Sequence, residues 1–114
     1  MTNDFRNIAS ILADWSHPHS GIVIYLFGSR VRGDHRSGSD VDVLFDFASP
    51  SDSSTAWLTE MEAEDYASLK IQLPGPLELL ERRSQLAPKV RQASKNSVHR
   101  DRNVICVWLP SARG

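Results

Sequence analysis

The sequence contains a single cysteine, Cys106, and no long apolar run. One cysteine cannot form a disulfide within the chain, which excludes a disulfide-stabilised scaffold. No stretch approaches the roughly 20 apolar residues that a membrane-spanning helix needs. The residues after Met1 also lack the basic start and the apolar stretch of a secretory signal peptide. We therefore expect a cytoplasmic protein with no membrane segment.

Two common phosphate-binding motifs are also missing. The chain has neither the Gly-x-x-x-x-Gly-Lys-Ser/Thr pattern of P-loop proteins nor the Gly-x-Gly-x-x-Gly pattern of dinucleotide-binding folds. What remains is a chain of 114 residues, 40% apolar and 24% charged, which is the size and composition of one globular domain. We expect residues 1–114 to form that single domain.

The spacing of apolar residues predicts alternating helices and strands. We predict helices over 3–15, 54–66, 76–83 and 86–95, and strands over 22–27, 40–47, 68–73 and 103–109. This order of elements indicates an α+β fold with a mixed sheet and with helices packed mainly on one face.

Charge is unevenly distributed along the chain, although the formal net charge is only −1. Residues 34–81 carry eleven acids and two bases, whereas residues 82–114 carry eight bases and one acid. The basic segment 82–102 could bind nucleic acid or an acidic protein surface. A solvated helix face explains the same charges equally well.

The most informative residues follow the first predicted strand. That strand ends at Gly28-Ser29, where a glycine allows a ligand to approach the backbone and a serine adds a hydroxyl. Exposed N–H groups at such a turn bind phosphate oxygens. Arg30, Arg32 and Arg36 lie close by and can add charge-assisted hydrogen bonds to phosphate.

Two carboxylates then begin the second predicted strand. Asp40 and Asp42 are two residues apart, so both side chains project from one face of the strand, about 6–7 Å apart along the backbone. Paired carboxylates beside bound phosphates suit Mg²⁺, which prefers oxygen ligands and retains water. An ordinary edge strand with a solvated polar face would show Asp-x-Asp too, but not directly after a phosphate-binding turn.

In order along the chain, Gly28-Ser29, Gly33 and Ser39-Asp40-Val41-Asp42 resemble the motif of the minimal nucleotidyltransferases of the DNA polymerase β superfamily. The similarity is specific over residues 22–47 and approximate elsewhere. It implies a palm-like mixed sheet and transfer of a nucleoside monophosphate from a nucleoside triphosphate to a hydroxyl acceptor.

The same resemblance implies a set of site residues. Asp40 and Asp42 would be the catalytic residues and the Mg²⁺ ligands. The nucleotide, ATP or another nucleoside triphosphate, would be bound by Gly28, Ser29, Arg30, Arg32 and Ser39.

Many family members of this size resemble antitoxins that pair with a helical HEPN-type toxin and silence it by contact or by adenylylation. We therefore expect transfer of AMP from ATP to a hydroxyl on such a partner protein. A domain this short has little surface beyond its nucleotide cleft with which to recognise an acceptor, so a second protein or a homodimer is expected.

One departure from the family motif bears on catalysis. The family places a third carboxylate on the following strand, within an apolar-Asp-apolar triplet, and the best match in this chain is Ile71-Gln72-Leu73. An amide cannot act as a general base. Three explanations remain open: Glu78 or Asp101 supplies the acid, a partner completes the site, or the protein is an interaction module with impaired catalysis.

Overall fold

A five-stranded mixed sheet organises the chain in the computed structural model, which describes residues 5–17, 22–34, 36, 38–47, 67–80 and 85–110. The strands are β1 (Ile22–Phe27), β2 (Val41–Phe47), β3 (Leu77–Leu80), β4 (His99–Asp101) and β5 (Val104–Cys106). They lie in the order β3-β2-β1-β5-β4. The pairs β1–β2 and β4–β5 are antiparallel, whereas β1–β5 and β2–β3 are parallel. The predicted mixed sheet is confirmed.

The described helices are short apart from the first. They are α1 (Phe5–Ser16), α2 (Ser29–Arg32), α3 (Ala67–Gln72) and α4 (Ala87–Ala93), with a 3₁₀ turn over Ser94–Asn96. Helix α1 buries Phe5, Ile8 and Leu12, whose spacings of three and four put them on one helix face, as predicted. In α4, Pro88 lies in the first turn, where a missing N–H costs nothing.

The alternation of β2 gives the sheet two different faces. Val41, Val43 and Phe45 are buried in the larger core beneath α1 and α3. On the opposite face Leu44 is buried in a smaller core beneath α4, with Phe27, Val90, Ile105 and Val107. Burial of each large apolar side chain is worth about 1.5–3 kcal/mol, so both cores hold the sheet in place. Among the described helices, α1, α2 and α3 contribute buried residues to the first core, and α4 contributes to the second.

The prediction of a third strand over 68–73 is wrong. Residues 68–72 belong to α3, which buries Leu69, and Leu73 is buried directly after the helix ends. The predicted helix over 76–83 is wrong too, since residues 77–80 form β3 and pair with β2. The Pro74-Gly75-Pro76 segment separates the two elements. The predicted helix over 54–66 lies outside the described residues.

Residues 99–106 form a hairpin, where one strand over 103–109 was predicted. Residues 99–101 and 104–106 pair as β4 and β5, joined through Arg102, which has a positive φ of 54°. Trp108 follows β5 and is 51% exposed.

Candidate active site

The site residues predicted from the sequence gather at one edge of the sheet. Strand β1 ends at this edge, and the antiparallel β2 and its parallel neighbour β3 begin there. Asp42 is paired with Phe27 of β1 on one side and with Glu78 of β3 on the other. Gly28, which follows β1, therefore lies beside Asp42.

Gly28 is in direct contact with the side chain of Asp42. A Cβ atom added at Gly28 would lie 2.9 Å from Asp42 Cγ and would overlap Asp42 Oδ2. Gly28 also has φ 91° and ψ −162°, a backbone conformation that favours glycine. Glycine is thus required here for two reasons, and the Asp42 carboxylate packs against the phosphate-binding segment that the sequence predicts.

The electrostatic surroundings of Asp42 are acidic. Burial, and then the negative charges of Asp40 and Glu78, raise the pKa of Asp42 to about 6, while the positive charge of Arg32 opposes the rise. The negative charges of Asp40 and Glu78 therefore act on Asp42. Perturbed carboxylates of this kind are common at functional sites.

The strand beside β2 carries Glu78, whereas the sequence led us to expect Gln72 on that strand. It lies on β3, next to β2, within the triplet Leu77-Glu78-Leu79, and its side chain is exposed. Gln72 is exposed on α3, where its amide donates to Ser68 O at 3.3 Å. Asp101 pairs with Val104, at the start of β5, and so lies toward the opposite edge of the sheet. Of the acids considered, only Glu78 is beside Asp42.

Arg30 and Arg32 have different environments, although both were predicted to bind the nucleotide. Arg30 is 3% exposed, and its Nε and Nη2 both donate to Ser39 O, at 3.2 and 3.0 Å. The Arg32 side chain is 17% exposed and donates to Asp34 Oδ2 at 3.2 Å and to Leu109 O at 3.3 Å. The positive charge of Arg32 acts on Asp42, whereas Arg30 forms hydrogen bonds with the backbone of the loop before β2.

Ser29 and Ser39 also differ. Ser29 is the first residue of α2, and the first N–H groups of a helix have no acceptor within that helix. Its hydroxyl and N–H are therefore suited to an anionic ligand. Ser39 Oγ accepts a hydrogen bond from Arg36 N at 2.7 Å, and Ser39 N donates to Arg36 O at 2.9 Å. Ser39 thus stabilises the turn that delivers Asp40.

Comparison with protein families shows that residues 8–101 match the model of the nucleotidyltransferase domain. The chain belongs to the nucleotidyltransferase domain family. The match runs from α1 to β4 and includes Gly28, Ser29, Asp40, Asp42 and Glu78. Neither the curated proteins nor the solved structures gave a significant match.

Family membership assigns general nucleotidyl transfer to this chain, and nucleotidyltransferases generally use divalent metal ions. Among the described residues no group of three His, Cys, Asp or Glu side chains is arranged to hold a metal ion. Mg²⁺ does not need such a group, because one or two carboxylates suffice when substrate phosphates and water complete its shell. Asp40 and Asp42 fit this requirement, and a bound cation would offset both the burial and the repulsion that raise the pKa of Asp42.

None of the helices in the described part of the chain is long and apolar enough to cross a membrane.

Proposed function

We propose that this nucleotidyltransferase domain binds ATP with Mg²⁺ at the edge of the sheet and transfers AMP to a hydroxyl group on a partner protein. The observation that carries the proposal is the contact between Gly28 and the Asp42 carboxylate. It brings a backbone segment suited to phosphate beside a carboxylate suited to the metal ion.

Each residue has a distinct role in this scheme. The Ser29 hydroxyl and the N–H groups that begin α2 bind phosphate oxygens, and Asp40 and Asp42 hold Mg²⁺. Arg32 offsets negative charge that develops on the phosphates, since its charge already reaches Asp42. When bound, Mg²⁺ would neutralise the triphosphate and orient its α-phosphorus.

The reaction is a substitution at the α-phosphorus of ATP. A bond forms between the acceptor oxygen and this phosphorus, and the bond to the oxygen that bridges the α- and β-phosphorus atoms breaks, which releases pyrophosphate. The hydroxyl proton passes to the Glu78 carboxylate, which is exposed and beside Asp42.

We prefer an active enzyme to an impaired one. Impaired catalysis was expected only because a neutral Gln72 was predicted on the strand next to the paired aspartates. The neighbouring strand is β3, and it carries Glu78.

The acceptor is proposed from the sequence resemblance to antitoxins. A HEPN-type toxin is the proposed partner, in a cytoplasmic toxin–antitoxin pair. Within the basic segment 82–102, Lys89, Lys95 and Arg100 are exposed, whereas Arg91 and Arg102 already form ion pairs. The exposed bases offer a positively charged surface to an acidic partner or to nucleic acid.

Binding of ATP tests the metal and nucleotide site directly. Isothermal titration calorimetry of the unchanged protein should show ATP binding with Mg²⁺ and little binding with EDTA. The double substitution Asp40→Asn with Asp42→Asn should abolish the Mg²⁺-dependent part, because neutral amides add no charge to the metal site. Asp14→Asn, which changes an exposed carboxylate on α1, is the matched control. Equal binding by the double variant and the control would reject the site.

Transfer is tested with ATP labelled on its α-phosphorus. The partner should become labelled, and ATP labelled on its γ-phosphorus should leave it unlabelled. Glu78→Gln should slow labelling by roughly 10²-fold or more if this carboxylate takes the proton. Gln72→Ala should have no effect. A partner that is inhibited without being labelled would show silencing by contact instead of transfer.

A further inference from the structure

The guanidinium group of Arg30 is buried at the meeting point of three segments of the site. Its Nε and Nη2 donate to the same acceptor, Ser39 O, at 3.2 and 3.0 Å. A guanidinium that donates twice holds its acceptor in a defined direction, and the positive charge strengthens both bonds. The acceptor belongs to the residue immediately before Asp40.

Gly75 approaches the same carbonyl next to the Arg30 guanidinium group. A Cβ atom added at Gly75 would overlap Ser39 O and would lie 3.0 Å from Arg30 Nη2 and 3.3 Å from Ser39 C. The adjacent Pro76 O accepts a hydrogen bond from Val41 N at 2.7 Å. Arg30, Ser39 and Gly75 therefore form one packed unit, which we call the Ser39 junction.

The Ser39 junction joins the three segments that carry the site. Arg30 lies in α2 directly after Ser29, Ser39 lies directly before Asp40, and Gly75 lies three residues before Glu78. A shift at the junction would move the phosphate-binding segment relative to both carboxylate-bearing strands.

We propose that Arg30 is a positioning residue that sets the geometry of the Asp40–Asp42 metal site through Ser39 O, and that it does not bind the nucleotide phosphates. The inference rests on the proposed function and adds a role for a residue that the sequence alone assigned to phosphate. At 3% exposure, with two donors directed at Ser39 O, Arg30 could reach a phosphate only by abandoning the junction. Arg32 is the arginine that lies near the acids.

The test compares two substitutions that disturb Ser39 O through two different neighbours, Arg30 and Gly75. Arg30→Lys keeps the charge but cannot make the same pair of hydrogen bonds, and Gly75→Ala adds a methyl group against the carbonyl without changing any charge. Arg6→Lys is the matched control, because it makes the same chemical change at an exposed position on α1. Thermal melting establishes that each variant folds.

Two readouts separate positioning from phosphate binding. Calorimetry with ATP, repeated over a range of Mg²⁺ concentrations, gives the half-saturating Mg²⁺ concentration and the ATP affinity at saturating Mg²⁺. Hydrogen exchange of the Val41 N–H, measured without nucleotide or metal, reports whether the start of β2 stays bound to Pro76.

Both Arg30→Lys and Gly75→Ala should raise the half-saturating Mg²⁺ concentration by about 10–100-fold, as loss of a group that orients metal ligands does. Both should speed Val41 exchange and leave ATP affinity at saturating Mg²⁺ nearly unchanged, and their double variant should be little worse than either. Weaker ATP binding at every Mg²⁺ concentration in Arg30→Lys, with Gly75→Ala unaffected, would identify Arg30 as a phosphate ligand and overturn the inference. Lower stability with unchanged Mg²⁺ dependence would overturn it too.

If Gly75→Ala does not fold, the comparison of Arg30→Lys with Arg6→Lys is sufficient: the half-saturating Mg²⁺ concentration should rise in the first variant and stay unchanged in the second. If the unchanged protein binds no ATP with Mg²⁺, the proposed function fails, and the inference about the metal site fails with it. Val41 exchange then shows separately whether the Ser39 junction exists in solution.

Discussion

Two aspartates on the same face of β2 have opposite surroundings. Asp46, near the end of the strand, accepts a hydrogen bond from Arg91 Nε of α4 at 2.9 Å. Asp42, near the start of the strand, forms no ion pair with any of the described residues, and its nearest charged neighbours include Asp40 and Glu78. Leu44 lies between the two and is fully buried.

The difference shows how one strand can serve structure and function at once. A carboxylate that stabilises the fold is matched by a cation of the same chain, as Asp46 is by Arg91. Asp42 has Asp40 and Glu78 nearby and is only partly offset by Arg32 among the described residues, so a bound cation would balance its charge further. Such an arrangement costs stability in the unliganded protein and favours cation binding.

The largest effect should come from exchanging the two aspartates for asparagine, one at a time. Asp42→Asn should remove Mg²⁺-dependent ATP binding, yet raise the free energy of unfolding at pH 7 by roughly 1 kcal/mol, a value reduced for solvent screening because the group is partly exposed. Asp46→Asn should retain ATP binding and lose about 1 kcal/mol of stability with its ion pair. Calorimetry measures ATP binding by each variant, and chemical denaturation measures its free energy of unfolding. The comparison fails if both variants lose binding, or if Asp42→Asn is the less stable.

Gly28 and Gly38 give a matched pair for the contact with Asp42. Both have positive φ, 91° and 86°, so alanine at either position strains the backbone by about 1–3 kcal/mol. A Cβ atom at Gly38 would meet nothing within 4 Å, whereas at Gly28 it would overlap Asp42. Gly28→Ala should therefore be the less stable variant and should lose ATP binding, while Gly38→Ala should keep it. Equal stability of the two would contradict the contact.

The smallest effect is the pH dependence of stability. The folded pKa of Asp42, about 6, lies above its ordinary value of 3.8, so the folded state holds this proton more tightly than the unfolded state. The contribution of Asp42 to the free energy of unfolding should therefore fall as pH rises from about 4 to 6, and should vanish in Asp42→Asn. Carboxyl ¹³C chemical shifts should place the midpoint near pH 6, and Glu78→Gln should lower it. A midpoint near pH 4 would show that burial and the charges of Asp40 and Glu78 do not raise the pKa of Asp42.

The parts of the fold that local pattern predicts are those where one period dominates. Helix α1 repeats its apolar residues at helical spacing, and β2 alternates strictly, so both were predicted within a residue or two. For residues 67–80 the same method predicted the wrong elements. The run Ser68 to Leu73 is short and apolar enough to suit either a helix or a strand, and the pairing of β3 with β2 is a contact that no local signal encodes.

The sequence by itself determined the Gly-Ser turn, the Asp-x-Asp pair and their order, because these depend on residue type and on spacings of one or two residues. Only the tertiary structure decided that Glu78 is the acid beside Asp42, that Arg32 lies near the acids and that Arg30 holds Ser39. The place of Glu78 follows from strand register, which pairs positions more than thirty residues apart. The role of Arg30 follows from its burial and its hydrogen bonds to Ser39, nine residues along the chain, and that of Arg32 follows from its charge near Asp42. The residue type determines what chemistry a side chain can perform, but the tertiary structure determines which groups it contacts.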